Sequence, residues 1–321
     1  MTREPPRPAW WRWPLVPIGL LAVGPLLVGC TAAEGTQPAT DPDGARVTVV
    51  ATMSIVGDLA AQVGGADVDV EVIVPVGADP HTFEPRPEDA RRLEEADLIV
   101  SNGAGLEERW LDDMIARSDA VHVALADGLE PRVLEEGEDA GEPDPHMWND
   151  PVLVRDAYLP RLLGALVDVH PEAAADLRAR AEECTAELDA LDGWIRAAVA
   201  TVPAGDAKLV TTHDAFAYFG ERYGLTVVGT LYGVSTEIEP SAAEVTELVD
   251  AIRDEAVPAV FVETLTSPEL MQRVAREADV TLGDDLLGDS VGAQDGTDTY
   301  AGMIRANVRA IVEGLGGEVP R

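Results

Sequence analysis

The chain has 321 residues, enough for two medium-sized domains, and its 46% hydrophobic content is typical of a globular protein and not of a disordered one. Its formal net charge is −36, with 59 acidic against 23 basic residues. This excludes a nucleic-acid-binding protein, because a phosphate-binding face needs clusters of Lys and Arg that the sequence does not have.

The first 29 residues are typical of a targeting segment. Three Arg residues form a basic start, and an apolar run over residues 14–29 follows, which is shorter than the roughly 20 residues of a membrane-spanning helix. The run ends Leu-Val-Gly-Cys30, which resembles the bacterial lipobox, in which a lipidated Cys becomes the new N-terminus. We therefore predict a signal peptide over 1–29, lipidation of Cys30 and a flexible tether over 30–45. The alternative is an uncleaved anchor helix with an incidental Cys.

From residue 46 onwards, short β-branched runs alternate with helical patterns. Strands are predicted at residues 46–52, 68–74, 98–101 and 121–124, and helices at 55–63 and 87–96. Short apolar strands between helices favour a parallel sheet covered on both faces. We assign residues 46–165 to an N-terminal α/β lobe.

The pattern then changes, because residues 150–200 contain no strand-like run. His170-Pro171 is a plausible break, after which residues 171–202 have the pattern of one helix, roughly 45 Å long at ~1.5 Å per residue. We expect a long rigid helix, over residues 166–203, that joins two lobes.

Beyond Pro203 the alternation resumes. Strands are predicted at residues 208–212, 226–230, 259–262 and 280–282, and helices at 216–223, 240–255, 268–277 and 299–315. Residues 204–321 then form a C-terminal α/β lobe, so the fold class is α/β: two lobes, each a parallel-type sheet flanked by helices. Ligands of such sheets favour the carboxyl ends of the strands, so a cleft between the lobes is the expected site.

Three of the five His residues lie in loops at strand ends. His81 and His146 each follow an Asp-Pro pair, and His213 follows the strand at 208–212. Pro restricts the backbone on both sides of itself, and a pre-formed metal site requires rigid ligands. Each His alone is more simply explained as a surface or hydrogen-bonded residue, but three in both lobes point to a shared metal site.

A fourth ligand is expected from the second lobe, where Asp284 and Asp285 follow the short strand at 280–282. Three imidazoles and one carboxylate suit tetrahedral Zn²⁺. In contrast, His122 lies inside a predicted strand and His170 at a helix start, and we interpret both as structural. Cys184, which has no other Cys or His nearby, is likewise interpreted as a structural helix residue.

Several segments resemble the metal-binding proteins of zinc and manganese ABC importers, the ZnuA/TroA-like group. The matching stretches span nearly all of residues 47–315 in the family's order: 77–85, 144–151 (DPHMWNDP), 212–225 (THDAFAYFGERYGL), 239–252, 259–270 (AVFVETLTSPEL) and 282–287. The resemblance implies a substrate-binding lipoprotein, and not an enzyme, on the outer face of the cell membrane. Its partners would be a divalent metal ion and the permease and ATPase of the importer, and it would act as a monomer.

The resemblance also implies four metal ligands: His81, His146, His213 and an Asp, which we place at Asp285, with Asp284 as the alternative. Manganese-binding members tend to carry Glu at the position of His213, so the resemblance favours Zn²⁺ over Mn²⁺.

One segment departs from the family. Zinc-binding members often carry a His-rich loop before the second ligand, whereas residues 134–144 read LEEGEDAGEPD. A solvated flexible loop is favoured over a weak cation-gathering role. Two other functions stay open from the residues: a zinc-dependent hydrolase, although no HExxH motif is present, and an adhesin-like surface lipoprotein with a structural metal.

Overall fold

The computed structural model describes residues 46–133 and 141–320. The predicted signal peptide, Cys30 and the tether lie outside the described residues, as does most of the acidic loop. Within the described ranges, no helix is both long enough and apolar enough to cross a membrane.

The first lobe is built on a four-stranded parallel sheet with the strand order β2-β1-β3-β4. Its elements are β1 (Val47–Met53), α1 (Ser54–Gly64), β2 (Val68–Val74), α2 (Pro87–Glu95), β3 (Leu98–Ser101), α3 (Glu108–Ile115) and β4 (Val121–Ala124). Alternate side chains of β1 enter different cores, because Val49 and Ala51 pack with α1 while Val50 packs with α2 and α3. Helices on both faces therefore make β1 an apolar central strand, as the sequence predicts.

A helical region joins the two lobes. It runs through α4 (Pro151–Leu153), a π-helical turn (Val154–Tyr158), α5 (Leu159–Val169), a 3₁₀ turn (Pro171–Ala173) and α6 (Ala174–Val199). The break at His170-Pro171 is where the sequence predicts it. The 26-residue helix α6 packs against α1 of the first lobe, against its neighbour α5 and against the last helix of the second lobe, so both lobes support it along its length.

The second lobe repeats the strand order of the first. Its elements are β5 (Lys208–Thr211), α7 (Ala217–Tyr223), β6 (Thr226–Thr230), α8 (Ala242–Asp254), β7 (Ala259–Val260), α9 (Pro268–Ala278), β8 (Thr281–Leu282) and α10 (Tyr300–Gly314). β5 pairs with β6 and β7 pairs with β8, all parallel. The backbone N–H of Phe261 donates to the carbonyl of Val210 at 2.9 Å and joins the two pairs in the order β6-β5-β7-β8.

The two lobes share one hydrophobic core. The largest cluster of buried side chains extends from β1 and α1 across α6 into α7 and α10, and includes Phe216, Phe219 and Met303. Two smaller clusters lie on other faces of the two sheets. The expected α/β fold of two lobes joined by a long helix is therefore present, and the lobes are in direct apolar contact as well.

Candidate metal centre

His81 lies in the loop that follows β2. Its backbone N–H donates to Asp79 Oδ1 at 2.8 Å, so the carboxylate two residues earlier fixes the loop around Pro80. The other carboxylate oxygen of Asp79 accepts a hydrogen bond from the Thr236 hydroxyl in the second lobe. The Asp-Pro-His sequence thus holds the imidazole rigid and ties its loop across the cleft.

His146 is fully buried in the loop before α4. Asp144 Oδ1 accepts from both the backbone N–H of His146, at 3.0 Å, and its ring Nδ1, at 2.9 Å. A proton on Nδ1 leaves the Nε2 lone pair free to bind a metal. Asn102, at the end of β3, donates to the carbonyl of Pro145 at 3.1 Å and supports the same loop.

His213 follows the carboxyl end of β5. Its backbone N–H donates to Glu263 Oε1 at 2.8 Å, and its ring Nδ1 lies 2.7 Å from Glu263 Oε2. Glu263 itself follows β7 and is 1% exposed. Here too a buried carboxylate lies behind the imidazole and directs Nε2 toward the cleft.

The fourth member of the group is Asp289, and not Asp285 or Asp284. Asp284 and Asp285 are exposed, because they leave the short edge strand β8 directly into solvent. The chain needs four more residues to reach the cleft, where Asp289 is 3% exposed. Gly288 allows this approach, since a Cβ there would lie 2.3 Å from Glu263 Oε2. We therefore replace Asp285 by Asp289 as the candidate fourth ligand.

The four side chains converge on one point, with their ligand atoms within 4.8 Å of one another. His146 Nε2 lies 3.1 Å from His81 Nε2 and 3.3 Å from His213 Nε2. Asp289 Oδ2 lies 3.1 Å from His213 Nε2 and 3.8 Å from His81 Nε2. Zinc bonds of 2.0–2.1 Å give a tetrahedron with edges of about 3.3–3.4 Å, so the spacing suits one Zn²⁺ ion at the centre.

Burial lowers the pKa values of the imidazoles in the centre, and the neighbouring carboxylates raise them. Burial lowers the pKa of His81 to about 3, with the neighbouring His146 and His213 adding to the effect, so its Nε2 is neutral. Burial also opposes the charge on His213, but Asp289 and Glu263 prevail and raise its pKa well above the ordinary value. For Asp289, the charge of His213 outweighs burial and lowers the pKa well below its usual range.

The two buried carboxylates on either side of the His213 ring therefore favour a positive charge at this position, as they would favour a bound cation. Asp289 Oδ1 is buried without a hydrogen-bond partner in the described part of the chain. A buried, unpartnered carboxylate oxygen is costly unless a ligand satisfies it, and a divalent ion would do so.

The two remaining His residues lie apart from this group. His122 is exposed on β4, where its Nε2 lies 2.8 Å from the Ser101 hydroxyl. His170 is buried at the end of α5, with Nδ1 3.3 Å from Glu172. Both positions agree with the structural interpretation of these residues.

The sequence reasoning missed Asp144 and Glu263, the carboxylates behind two of the imidazoles. Both could have been identified from the sequence. Asp144 stands two residues before His146, and Glu263 directly follows a predicted strand in a segment that resembles the family. Asp289 lies seven residues beyond the predicted strand 280–282, farther than Asp284 and Asp285, so spacing from the strand does not select it.

An interlobe cavity of about 460 Å³ opens beside the centre. His81 contributes to its wall, together with Arg109 and Glu142 of the first lobe and Glu237 of the second. Arg109 and Glu237 form an ion pair across it. The cavity therefore leads from solvent to the edge of the centre at His81, while His146 and His213 lie behind it.

Comparison with known proteins gives a consistent result. The sequence profile of the family described as "Zinc-uptake complex component A periplasmic" matches residues 49–314. The manganese-binding lipoprotein MntA of Halalkalibacterium halodurans is 33% identical over 298 residues, which are 92% of this chain and 96% of the relative. The manganese ABC transporter substrate-binding lipoprotein PsaA of Streptococcus pneumoniae is 30% identical over 303 residues, 90% of this chain and 95% of the relative.

Among solved structures, the periplasmic zinc-binding protein TroA from Treponema pallidum superposes with a TM-score of 0.78 at 30% identity and covers 84% of this chain and 99% of that one. A manganese-bound periplasmic metal-binding protein from Candidatus liberibacter asiaticus, 24% identical, shares the fold with a TM-score of 0.74 and covers 84% of this chain and 100% of that one.

Proposed function

Because the chain belongs to the ZnuA family of substrate-binding components of metal ABC importers, we propose that its cargo is Zn²⁺, bound by His81, His146, His213 and Asp289. The family consists of extracytoplasmic lipoproteins that bind metal ions and not of enzymes, and this chain is one of them. Membership of the family identifies neither the metal nor the residues that bind it, so the proposal for both rests on the geometry of the centre.

The observation that carries the proposal is the composition of the centre. Three imidazole nitrogens and one carboxylate oxygen, spaced as the corners of a tetrahedron and carried by three buried residues and the half-buried His81, match the geometry that Zn²⁺ adopts with four protein ligands. Mn²⁺ prefers carboxylate, carbonyl and water oxygens. Some relatives are named as manganese-binding, so experiment has to compare the two metals. The ligand atoms of the centre support zinc as the main cargo and manganese as a more weakly bound one.

A closed set of four protein ligands also fits carriage better than hydrolysis. A catalytic zinc site keeps one position open for an activated water, and here Asp289 fills the position that such a water would take. The carboxylates Asp144 and Glu263 lie behind the imidazoles, so neither faces a water on the metal.

The proposed path begins at the membrane surface. Lipid on Cys30 would hold the mature chain by the tether 30–45, as a monomer, with lobes at residues 46–165 and 204–321 and the linking segment 166–203 between them. The interlobe cavity beside His81 would admit the ion, and a permease with its ATPase would receive it.

Metal analysis of untagged protein, followed by competition between Zn²⁺ and Mn²⁺, tests the proposal. We expect one zinc per chain and X-ray absorption showing three nitrogen ligands, one carboxylate oxygen and no water. His122→Ala serves as the control, because it removes an imidazole outside the centre. Preferential retention of Mn²⁺, or a zinc site with an open water position, would overturn the assignment.

A further inference from the structure

We propose that two buried hydroxyls, those of Ser54 and Ser290, form an interlobe clip that positions Asp289 and sets the preference of the centre for Zn²⁺ over Mn²⁺. Ser54 is the first residue of α1 in the first lobe, and Ser290 directly follows Asp289 in the second. The inference rests on the proposed function, and it concerns the choice of metal by the same site.

The two side chains meet inside the molecule. Ser54 is 5% and Ser290 2% exposed, and their hydroxyl oxygens lie 3.1 Å apart. The backbone N–H of Val291 donates to the Ser54 hydroxyl at 3.2 Å, and the backbone N–H of Gly77 donates to the Ser290 hydroxyl at 3.1 Å. Gly77 belongs to the loop that carries His81, so the clip joins the loops of two candidate ligands from opposite lobes.

The hydrogen positions in the clip follow from counting donors and acceptors. A hydroxyl has one hydrogen to donate and two lone pairs to accept with. Ser290 donates its hydrogen to the carbonyl of Val291, at 2.9 Å. It must therefore accept from Ser54 as well as from Gly77, and Ser54 is the donor of the shared bond. Each hydroxyl hydrogen then has an acceptor, and the network is closed.

Asp289 depends on this backbone support. Its Oδ1 has no hydrogen-bond partner in the described residues and lies 3.5 Å from His146 Nε2. Its other oxygen, Oδ2, lies 3.1 Å from His213 Nε2, so the carboxylate is oriented by that ring and by the placement of its own backbone, which the residues on either side provide. Gly288 accepts a hydrogen bond from Trp148 Nε1 at 2.8 Å, and Ser290 is held by the clip.

The position of this carboxylate bears on the choice of metal. Zn²⁺ with three imidazoles needs a single oxygen from Asp289, whereas Mn²⁺ is favoured by additional oxygen ligands. A carboxylate free to turn would offer both oxygens to the ion. The clip restricts rotation of the Asp289 carboxylate. Its loss should therefore weaken zinc binding and lower the zinc-over-manganese preference.

The test measures zinc and manganese dissociation constants of the full mature chain and of Ser54→Ala, Ser290→Ala and the double variant. Loss of a residue that supports a metal ligand typically lowers metal affinity about 10- to 100-fold, so we expect the zinc affinity to fall about 10-fold or more in each single variant. The zinc-over-manganese preference should fall with it, because manganese accepts the second carboxylate oxygen that the freed side chain would offer. Because both variants break the same hydrogen bond, the double variant should fall little further.

Two further variants separate positioning from general stability. Ser54→Thr keeps the hydroxyl and should retain most of the preference. Ser118→Ala is the matched control, because Ser118 also makes two hydrogen bonds, with Leu93 and Ala120, but these stay within the first lobe. It should lower the melting temperature of the apoprotein without changing the metal preference.

The outcomes are distinct. If the unaltered chain binds no zinc, the proposed function fails and the clip with it. If it binds zinc and Ser54→Ala leaves the zinc-over-manganese preference unchanged, or shifts it no more than Ser118→Ala does, the clip alone is refuted. Ser54 lies in the lobe opposite to Asp289. Ser54→Ala therefore tests the effect of the clip on metal preference even if Ser290→Ala fails to fold.

Discussion

Replacing Asp289 by Asn tests the centre at the residue where sequence and structure disagree. The substitution keeps the shape and one oxygen of the side chain but removes its charge. A residue that merely supports a ligand is worth about 10- to 100-fold in metal affinity, so a ligand in a four-coordinate site should exceed about 100-fold. At 1.4 kcal/mol per tenfold, this is about 2.8 kcal/mol of binding free energy.

The same loss should appear in thermal unfolding. A ligand that binds only the folded state stabilises it by RT ln(1 + [L]/Kd), so at a fixed excess of zinc the variant should lose about 2.8 kcal/mol of that stabilisation. In a chain of this size, 1 kcal/mol shifts the melting temperature by about 2–4 °C, which gives a deficit of about 6–11 °C relative to the zinc-loaded parent.

The matched control is Asp285→Asn, which removes the same charge from an exposed side chain three residues after β8. It should leave the zinc dissociation constant and the zinc-dependent melting shift unchanged. Melting of both apoproteins shows whether either variant is misfolded. A larger loss of zinc affinity from Asp285→Asn than from Asp289→Asn would refute the assignment of Asp289.

Three other expectations follow from the site and the core. Since the pKa of His213 is raised, zinc should displace its proton, so zinc affinity should increase with pH up to the raised pKa of the folded protein. Calorimetry in several buffers should then find close to one proton released per zinc at pH 7, and no release would contradict a protonated His213 in the apoprotein. The protonated His213 stabilises the apoprotein below pH ~6.5, and this contribution is lost as pH rises through the folded pKa, so zinc should stabilise more at higher pH. Zinc should change the fluorescence of Trp148, whose ring centroid lies 5.0 Å from that of His146, and Trp148→Phe should abolish the change; an unaltered signal in that variant would assign it elsewhere. Small-angle scattering should find a change in radius of gyration below about 1 Å, out of roughly 19 Å, because α6 packs on both lobes; a larger shrinkage would show hinge closure.

Much of the fold could be predicted because the strands are short apolar runs with polar boundaries. β2, β3, β4 and β6 have the predicted bounds. The helix α3 was missed, since its eight residues mix Trp110 and Leu111 with charged side chains after a Gly-containing loop. β7 and β8 are shorter than predicted. Beyond Val260 the regular ladder between them is replaced by a hydrogen bond to β5 and by an isolated bridge between Glu263 and Leu286.

The candidate site could be predicted only in part, for a physical reason. His81, His146 and His213 stand in loops whose Pro residues or preceding strands fix them locally, so spacing along the chain finds them. The placement of Asp289 depends on how far the chain runs beyond β8 before it meets Glu263 and Trp148. That distance is set by tertiary packing. Spacing along the sequence alone favours Asp284 and Asp285, which are nearer to the strand.

The apolar core that crosses from one lobe to the other has a consequence for how the molecule loses its structure. Side chains of α1, α6 and α10 pack in a single cluster, so neither lobe can open without exposing apolar surface of the other. We therefore expect the two lobes to unfold as one cooperative unit, although each has strands of its own. An ion bound at the proposed centre would then stabilise both lobes against proteases, including at cleavage sites remote from the centre. A cargo-loaded carrier outside the cell is thereby also the more durable one.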